Sequence, residues 1–188
     1  TSMIRTALAA ALALGASLSA VLADTVKVGF VTTLTTPAAV IGNDQKDAVE
    51  LAIEDMGGKM GDLDVEVIYE DDGFKPETGK QKTDKLVQSD KVDFVAGYIW
   101  SNVLLASAKS VFDAQTFLIS ANAGPHQLAG EQCSEWFFST SWQNDQTPEA
   151  MGELLNQRKV GNLYVISPNY AAGRDMAEGV KRTFKGKV

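Results

Sequence analysis

The chain has 188 residues, with 17 Lys and Arg against 24 Asp and Glu, one Cys and one His. An acidic balance argues against a nucleic-acid protein, whose affinity rests on Lys and Arg at phosphates, and against a partner of anionic membranes. Cys133 alone cannot form an internal disulfide, and His126 alone gives no His/Cys cluster with zinc spacing.

The first stretch, Met3 to Ala23, carries Arg5, an apolar run from Ala7 to Leu18, and Val21-Leu22-Ala23 before Asp24. Small residues at those positions predict a secretory signal cut after Ala23. The run is short for a membrane span of ~20 residues. Thr1 and Ser2 precede Met3 and read as an expression scar. With no Cys beside the cut to carry a lipid, the expectation for residues 24–188 is a soluble periplasmic protein, of a size for one domain or a little more.

Val26 to Thr32 is β-branched and aromatic and predicts a first strand. Asp44 to Met56 predicts a helix with Ala48, Val49, Ala52, Ile53 and Met56 on one face, ended by Gly57-Gly58. Leu63 to Tyr69 is a second strand; Pro76 opens a helix over Glu77 to Ser89 with Thr83, Leu86 and Val87 inward. Val92 to Gly97 is a third strand, Val103 to Ala114 a helix, and Thr116 to Ser120 a fourth strand. Trp136 to Thr140 is extended. A helix over Pro148 to Gln157 has Met151, Leu154 and Leu155 inward. Asn162 to Ser167 is another strand, and Arg174 to Phe184 a last helix with Met176, Val180 and Phe184 on one face. Alternation of this kind predicts an α/β fold, a parallel sheet with helices on both faces.

Enzyme and metal motifs fare poorly. Glu70-Asp71-Asp72 lacks the spaced ligands and distal Glu of a calcium loop and reads better as a helix-capping, solvated edge. Gly73 to Gly79-Lys80 has one residue too many for a phosphate loop, and Gln81 stands where magnesium needs Ser or Thr. No Gly-x-Ser-x-Gly elbow accompanies His126, which reads as a solvated loop residue, and no dinucleotide glycine pattern follows the first strand. The expectation is no catalysis, no cofactor and no metal.

Instead, several polar loops share the carboxyl edge of the sheet, where open α/β sheets bind ligands. They are Thr32-Thr33-Leu34-Thr35-Thr36, Ser101-Asn102 and Asn122-Ala123-Gly124. Hydroxyls and amides at a helix start suit a carboxylate. Ser101 at the start of the third helix either grips such a ligand or serves as an N-cap.

These features together resemble the type I periplasmic solute-binding proteins of the branched-chain amino acid ABC transporter family. They are the signal, the Val-rich strand, the Thr-rich loop with Gly42, Asp71 and Pro76, Gly97 to Ser101, Ile119 to Ala123, Thr140, Asp145 and Gln146, and Tyr170 and Gly173. The resemblance covers 24–188 and implies about half of a two-lobed protein, lobe I over 24–142 and the start of lobe II over 143–188. By position it places Ser101, with Asn102 beside it, at the ligand's carboxylate. Asn122, Ala123 and Gly124 form a second ligand loop, Tyr170 reaches in from lobe II, and Ile41 stands where the family often has a large aromatic residue. Gln143 occupies the place where amino-acid binders can use an acidic residue for the ligand ammonium, and Gly124 replaces their usual hydroxyl residue. Trp100 and Trp142 add aromatic surface near the ligand loops or pack against the hinge.

What the resemblance implies is the substrate-binding component of an ABC importer, delivering a small carboxylate to inner-membrane permease subunits. The two departures favour an aromatic or short aliphatic acid over a branched-chain amino acid. A ligand-sensing domain of a signalling receptor can share this fold, and a secreted amidase or esterase is the enzymatic rival. A half-built second lobe is expected to expose apolar helix faces and self-associate.

Overall fold

The computed structural model describes residues 25–188, so the expected signal peptide, 1–23, lies outside the described residues. The strands are β1 (Thr25–Thr32), β2 (Lys59–Met60), β3 (Leu63–Asp71), β4 (Phe94–Gly97), β5 (Phe117–Ser120) and β6 (Phe137–Ser139). They form a six-stranded sheet in the order β2-β3-β1-β4-β5-β6. Every pairing is parallel except that of β2, a short antiparallel edge that the sequence reading does not contain.

The helices are α1 (Ala39–Asp55), α2 (Pro76–Lys85), α3 (Ser101–Asp113), α4 (Gln146–Gln157) and α5 (Ala171–Thr183). A π-helical turn, Leu86–Asp90, extends α2 before the chain turns into β4. Helices α2 and α3 cover one sheet face, where Val31, Leu86, Val95, Val103, Leu104, Val111 and Leu118 are fully buried. Each such side chain contributes roughly 1.5–3 kcal/mol by leaving water. Helix α1 lies over the opposite face, with Lys46 above the Tyr69 ring. That face is only partly covered, and Phe94, Phe117 and Phe138 form an open aromatic strip.

Three local expectations change. Helix α1 begins at Ala39, not Asp44, because Pro37 and Thr36 end the preceding loop earlier; of its expected inner face, only Val49 and Ile53 are half-buried. Helix α5 buries Ala172, Asp175 and Gly179 with Phe184 just beyond it, while Met176 is exposed. Small residues let it approach α4, so packing rather than hydrophobic pattern chose the face. The stretch from Asn162 to Ser167 makes no strand, only an isolated parallel bridge between Asn162 and Lys187. A strand needs a neighbour along its length, and none pairs with it among the described residues.

Tyr164 and Ile166 are accordingly 87% and 86% exposed, beside a hollow of about 340 Å³ lined by Met151, Val165, Ile166, Met176 and Val180. Exposed apolar surface on this scale promotes association. Residues 25–188 alone are expected to self-associate at micromolar concentration by light scattering; a clean monomer would contradict this.

Candidate functional site

The sheet order puts β3 and β4 on opposite sides of β1, so the chain reverses direction there. That makes the carboxyl ends of β1 and β4 a topological switch point, the crevice where such sheets receive ligands. The loops after β1 and β4 meet in it. The Trp100 indole Nε1 donates to Thr33 Oγ1 at 2.8 Å, and the Thr33 hydroxyl donates to Asp72 Oδ1 at 2.5 Å.

The acidic triplet does not cap α2, whose N-cap is Lys75. Glu70 pairs with Lys82 and Lys85. Burial pushes the Asp71 carboxyl up, but the Thr35 hydroxyl and the Leu34 and Gly73 N–H groups outweigh it and hold the group below its usual range. For Asp72 burial wins over the bonds from Thr33 and the Phe74 N–H, and its carboxyl is raised. These carboxylates fix the geometry of the loop after β1. No group of three or more acids, His or Cys able to hold a metal occurs among the described residues.

Phe74 is a residue the sequence reading missed. It takes φ +63, a left-handed conformation uncommon for a bulky residue and a recognised mark of functional sites. Its ring lies 4.2 Å from that of Trp100, which meets Tyr170 edge-on at 6.1 Å. Phe74, Trp100 and Tyr170 thus form an aromatic row crossing from the sheet loops to the start of α5. The Gly73 and Phe74 N–H groups donate to Asp71 and Asp72, which holds the turn that carries Phe74, and no spacing in the sequence signals it.

Ser101 is the first residue of α3 and 1% exposed. The N-cap is Trp100, so Ser101 does not serve as the cap, and its Oγ instead accepts from Asn144 Nδ2 at 3.0 Å. In the first turn of α3 the Val103 and Leu104 N–H groups go to the Trp100 carbonyl, which leaves those of Ser101 and Asn102 without a partner inside the helix. Asn102 is half-buried, with a buried Oδ1 that has no hydrogen-bond partner.

The loop after β5 is knitted to the loop after β4. Asn122 Nδ2 donates to the Ile99 carbonyl at 3.0 Å, Ala123 N–H to Tyr98 and Ala121 N–H to Gly97. The Ala123 amide is therefore committed within the fold. Gly124 is buried, and an added Cβ would lie 2.2 Å from the Trp142 carbonyl oxygen. Packing against the 140–145 segment thus accounts for this glycine, and its missing hydroxyl carries no information about the ligand.

Of the other expected residues, Tyr170 is half-buried, and burial raises its hydroxyl pKa. Gln143 opens on a hollow of about 210 Å³ shared with Gly124, Phe137 and Ser139. Ile41 is exposed on the first turn of α1, and Trp142 is largely exposed. The structure therefore gathers Trp100, Ser101 and Tyr170, ties Asn122, Ala123 and Gly124 to the same loop, leaves Ile41 and Trp142 exposed, and puts Gln143 on a neighbouring hollow.

His126 refines the sequence reading. Its side chain is 42% exposed, as a solvated residue's would be, but its Nδ1 lies 2.7 Å from Oδ1 of the buried Asp175. Asn144 and Asp175 were also missed, because a lone Asn and a helical Asp far apart in sequence give no signal until α5 packs on α3.

The family model described as periplasmic binding protein matches residues 25–188. The Leu/Ile/Val-binding protein homolog 6 of Brucella abortus (strain 2308) is 25% identical over 183 residues, 97% of this chain and 46% of that protein. A solute-binding protein of an ABC transporter from Rhodopseudomonas palustris, in complex with benzoate, is 29% identical with a TM-score of 0.82, over 87% of this chain and 46% of that one. Another from R. palustris BisB5, in complex with 3,4-dihydroxybenzoic acid, is 26% identical with a TM-score of 0.81, over 87% and 46%. The chain spans about half the length of the relatives it matches.

Proposed function

The chain belongs to the periplasmic binding protein family, and from that premise we propose that it is the ligand-gripping half of the substrate-binding component of an ABC importer. It captures a small carboxylate, an aromatic acid first and a short aliphatic acid second, in the periplasm and hands it to inner-membrane permease subunits. It binds and closes, and makes or breaks no bond. Residues 24–142 act as lobe I and 143–188 as the start of lobe II.

The observation that carries this reading is the meeting of two surfaces at the switch point. The Ser101 hydroxyl and the amides opening α3 suit a carboxylate, while Phe74, Trp100 and Tyr170 offer ring faces and edges to an aromatic body. Asn102, Asn122, Ala123 and Gly124 border that place, and Ile41 is exposed on α1. By the family resemblance Gln143, a neutral amide on the neighbouring hollow, stands where an acidic partner for an α-ammonium would be, and it supplies no such charge. The ligands held by the two R. palustris proteins are of the same class. A branched-chain amino acid is the second reading, favoured by the Leu/Ile/Val-binding relatives.

A ligand that binds only the native state raises its melting temperature by mass action. A thermal-shift panel on the intact protein is expected to show stabilisation by benzoate and 4-hydroxybenzoate. Stabilisation by leucine, isoleucine or valine alone would establish the second reading, and no response to either class would overturn both.

A further inference from the structure

Behind Ser101 lies a buried polar relay that no binding role assigned so far explains. Asn144 is 7% exposed and Asp175 4%. The Asn144 amide nitrogen donates both its protons, one to Ser101 Oγ at 3.0 Å and one to Asp175 Oδ2 at 2.9 Å. Asp175 also receives the His126 backbone N–H at 3.3 Å, with His126 Nδ1 against its other oxygen at 2.7 Å. The Asn144 backbone N–H is pinned to the Gly124 carbonyl at 2.8 Å.

We propose that Asn144 and Asp175 are positioning residues that make Ser101 a hydrogen-bond donor toward the ligand carboxylate. This rests on the reading of Ser101 as the carboxylate grip. An asparagine side chain has a donor end and an acceptor end, and a carboxylate at Asp175 accepts only from the donor end. The flipped amide would set oxygen against oxygen at Asp175, so Asp175 fixes which end Ser101 meets. With one lone pair of the buried Ser101 Oγ taken by Asn144, its hydroxyl proton stays uncommitted and is left for a ligand carboxylate. Were the amide reversed, Ser101 would spend that proton on Asn144. Donation to a carboxylate is charge-assisted and stronger than donation to a neutral acceptor, so the relay converts a serine into a charge-selective contact. Because Asp175 lies on α5, the second half of the chain sets the chemistry of a residue in the first.

The test compares benzoate with its neutral counterpart benzamide, by calorimetry on the intact protein. Asp175→Leu removes both acceptor oxygens that orient Asn144 at similar size, whereas an amide there would keep one. Loss of a nearby negative charge would by itself tighten benzoate; loss of positioning weakens it. Positioning predicts a roughly tenfold weaker benzoate affinity, little change for benzamide, and no further loss when Asp175→Leu is added to Ser101→Ala. Asn144→Ala, which removes the amide donor without adding charge, is expected to shift the preference the same way and serves if the first variant folds poorly. Unchanged or tighter benzoate binding, equal losses for both ligands, or an undiminished effect in the Ser101→Ala background would overturn the proposal. Absence of benzoate binding in the unaltered protein would remove the reading of Ser101 together with it.

Discussion

A Gly97→Ala variant is expected to lose about 3–5 kcal/mol of stability, lowering the melting temperature by roughly ten degrees. Gly97 ends β4 at φ +110, and a Cβ there would lie 2.3 Å from the Val31 carbonyl oxygen. That carbonyl cannot retreat, because it accepts the Tyr98 N–H at 2.7 Å across the β1–β4 pair. Tyr98 follows at φ +62 with its ring fully buried and its hydroxyl 2.7 Å from Thr83 Oγ1. The turn from β4 into the site is thus held from both sides, and relaxing it would move Trp100 and Ser101. Gly61→Ala is the control, since Gly61 has positive φ but open space around it. It is expected to cost no more than about 1–2 kcal/mol. Equal losses in the two variants, by thermal or urea melts, would mean that crowding at the switch point is not the cause.

Ser101→Ala is expected to weaken carboxylate binding about 10–100-fold, the worth of one hydrogen bond to a charged group, without a large loss of stability. The vacated space is small, but Asn144 would lose one acceptor, and the resulting cost to the fold is expected to stay near 1 kcal/mol. Titration calorimetry against benzoate reads the first effect and a thermal melt the second. A variant that binds normally would place the carboxylate elsewhere on the edge.

Much of this arrangement was legible in the sequence. The alternation from Val26 to Ser120 fixes the parallel sheet, because each strand there is a short apolar run with a helical stretch between. The switch-point loops follow from that topology, so the sequence alone puts Ser101 and the 122–124 loop on the carboxyl edge of the sheet. The stretch from Asn162 to Ser167 shows the limit. Its pattern is that of a strand, but pairing is a property of the neighbour, and here only Asn162 is bridged.

The site's interior was harder to read, for physical reasons. Phe74 enters the aromatic row through a left-handed backbone that two carboxylates hold, which no periodicity reports. Asp175 looks like a solvent-facing helical acid until the glycines and alanines of α5 let it sink against His126 and Asn144. Gly124 misleads in the opposite direction: its missing side chain reads as a ligand adaptation, while the Trp142 backbone leaves no room for one.

The most direct test of the central claim is amide hydrogen exchange on the intact protein with and without saturating benzoate. Protection reports where native-state opening is suppressed. The account predicts added protection at the start of α3, residues 101–104, and in the 121–125 loop, with none on the outer face of α4 or along 162–167. Protection confined to those outer segments, or unchanged throughout despite measured binding, would contradict a carboxylate site at the β1–β4 switch point.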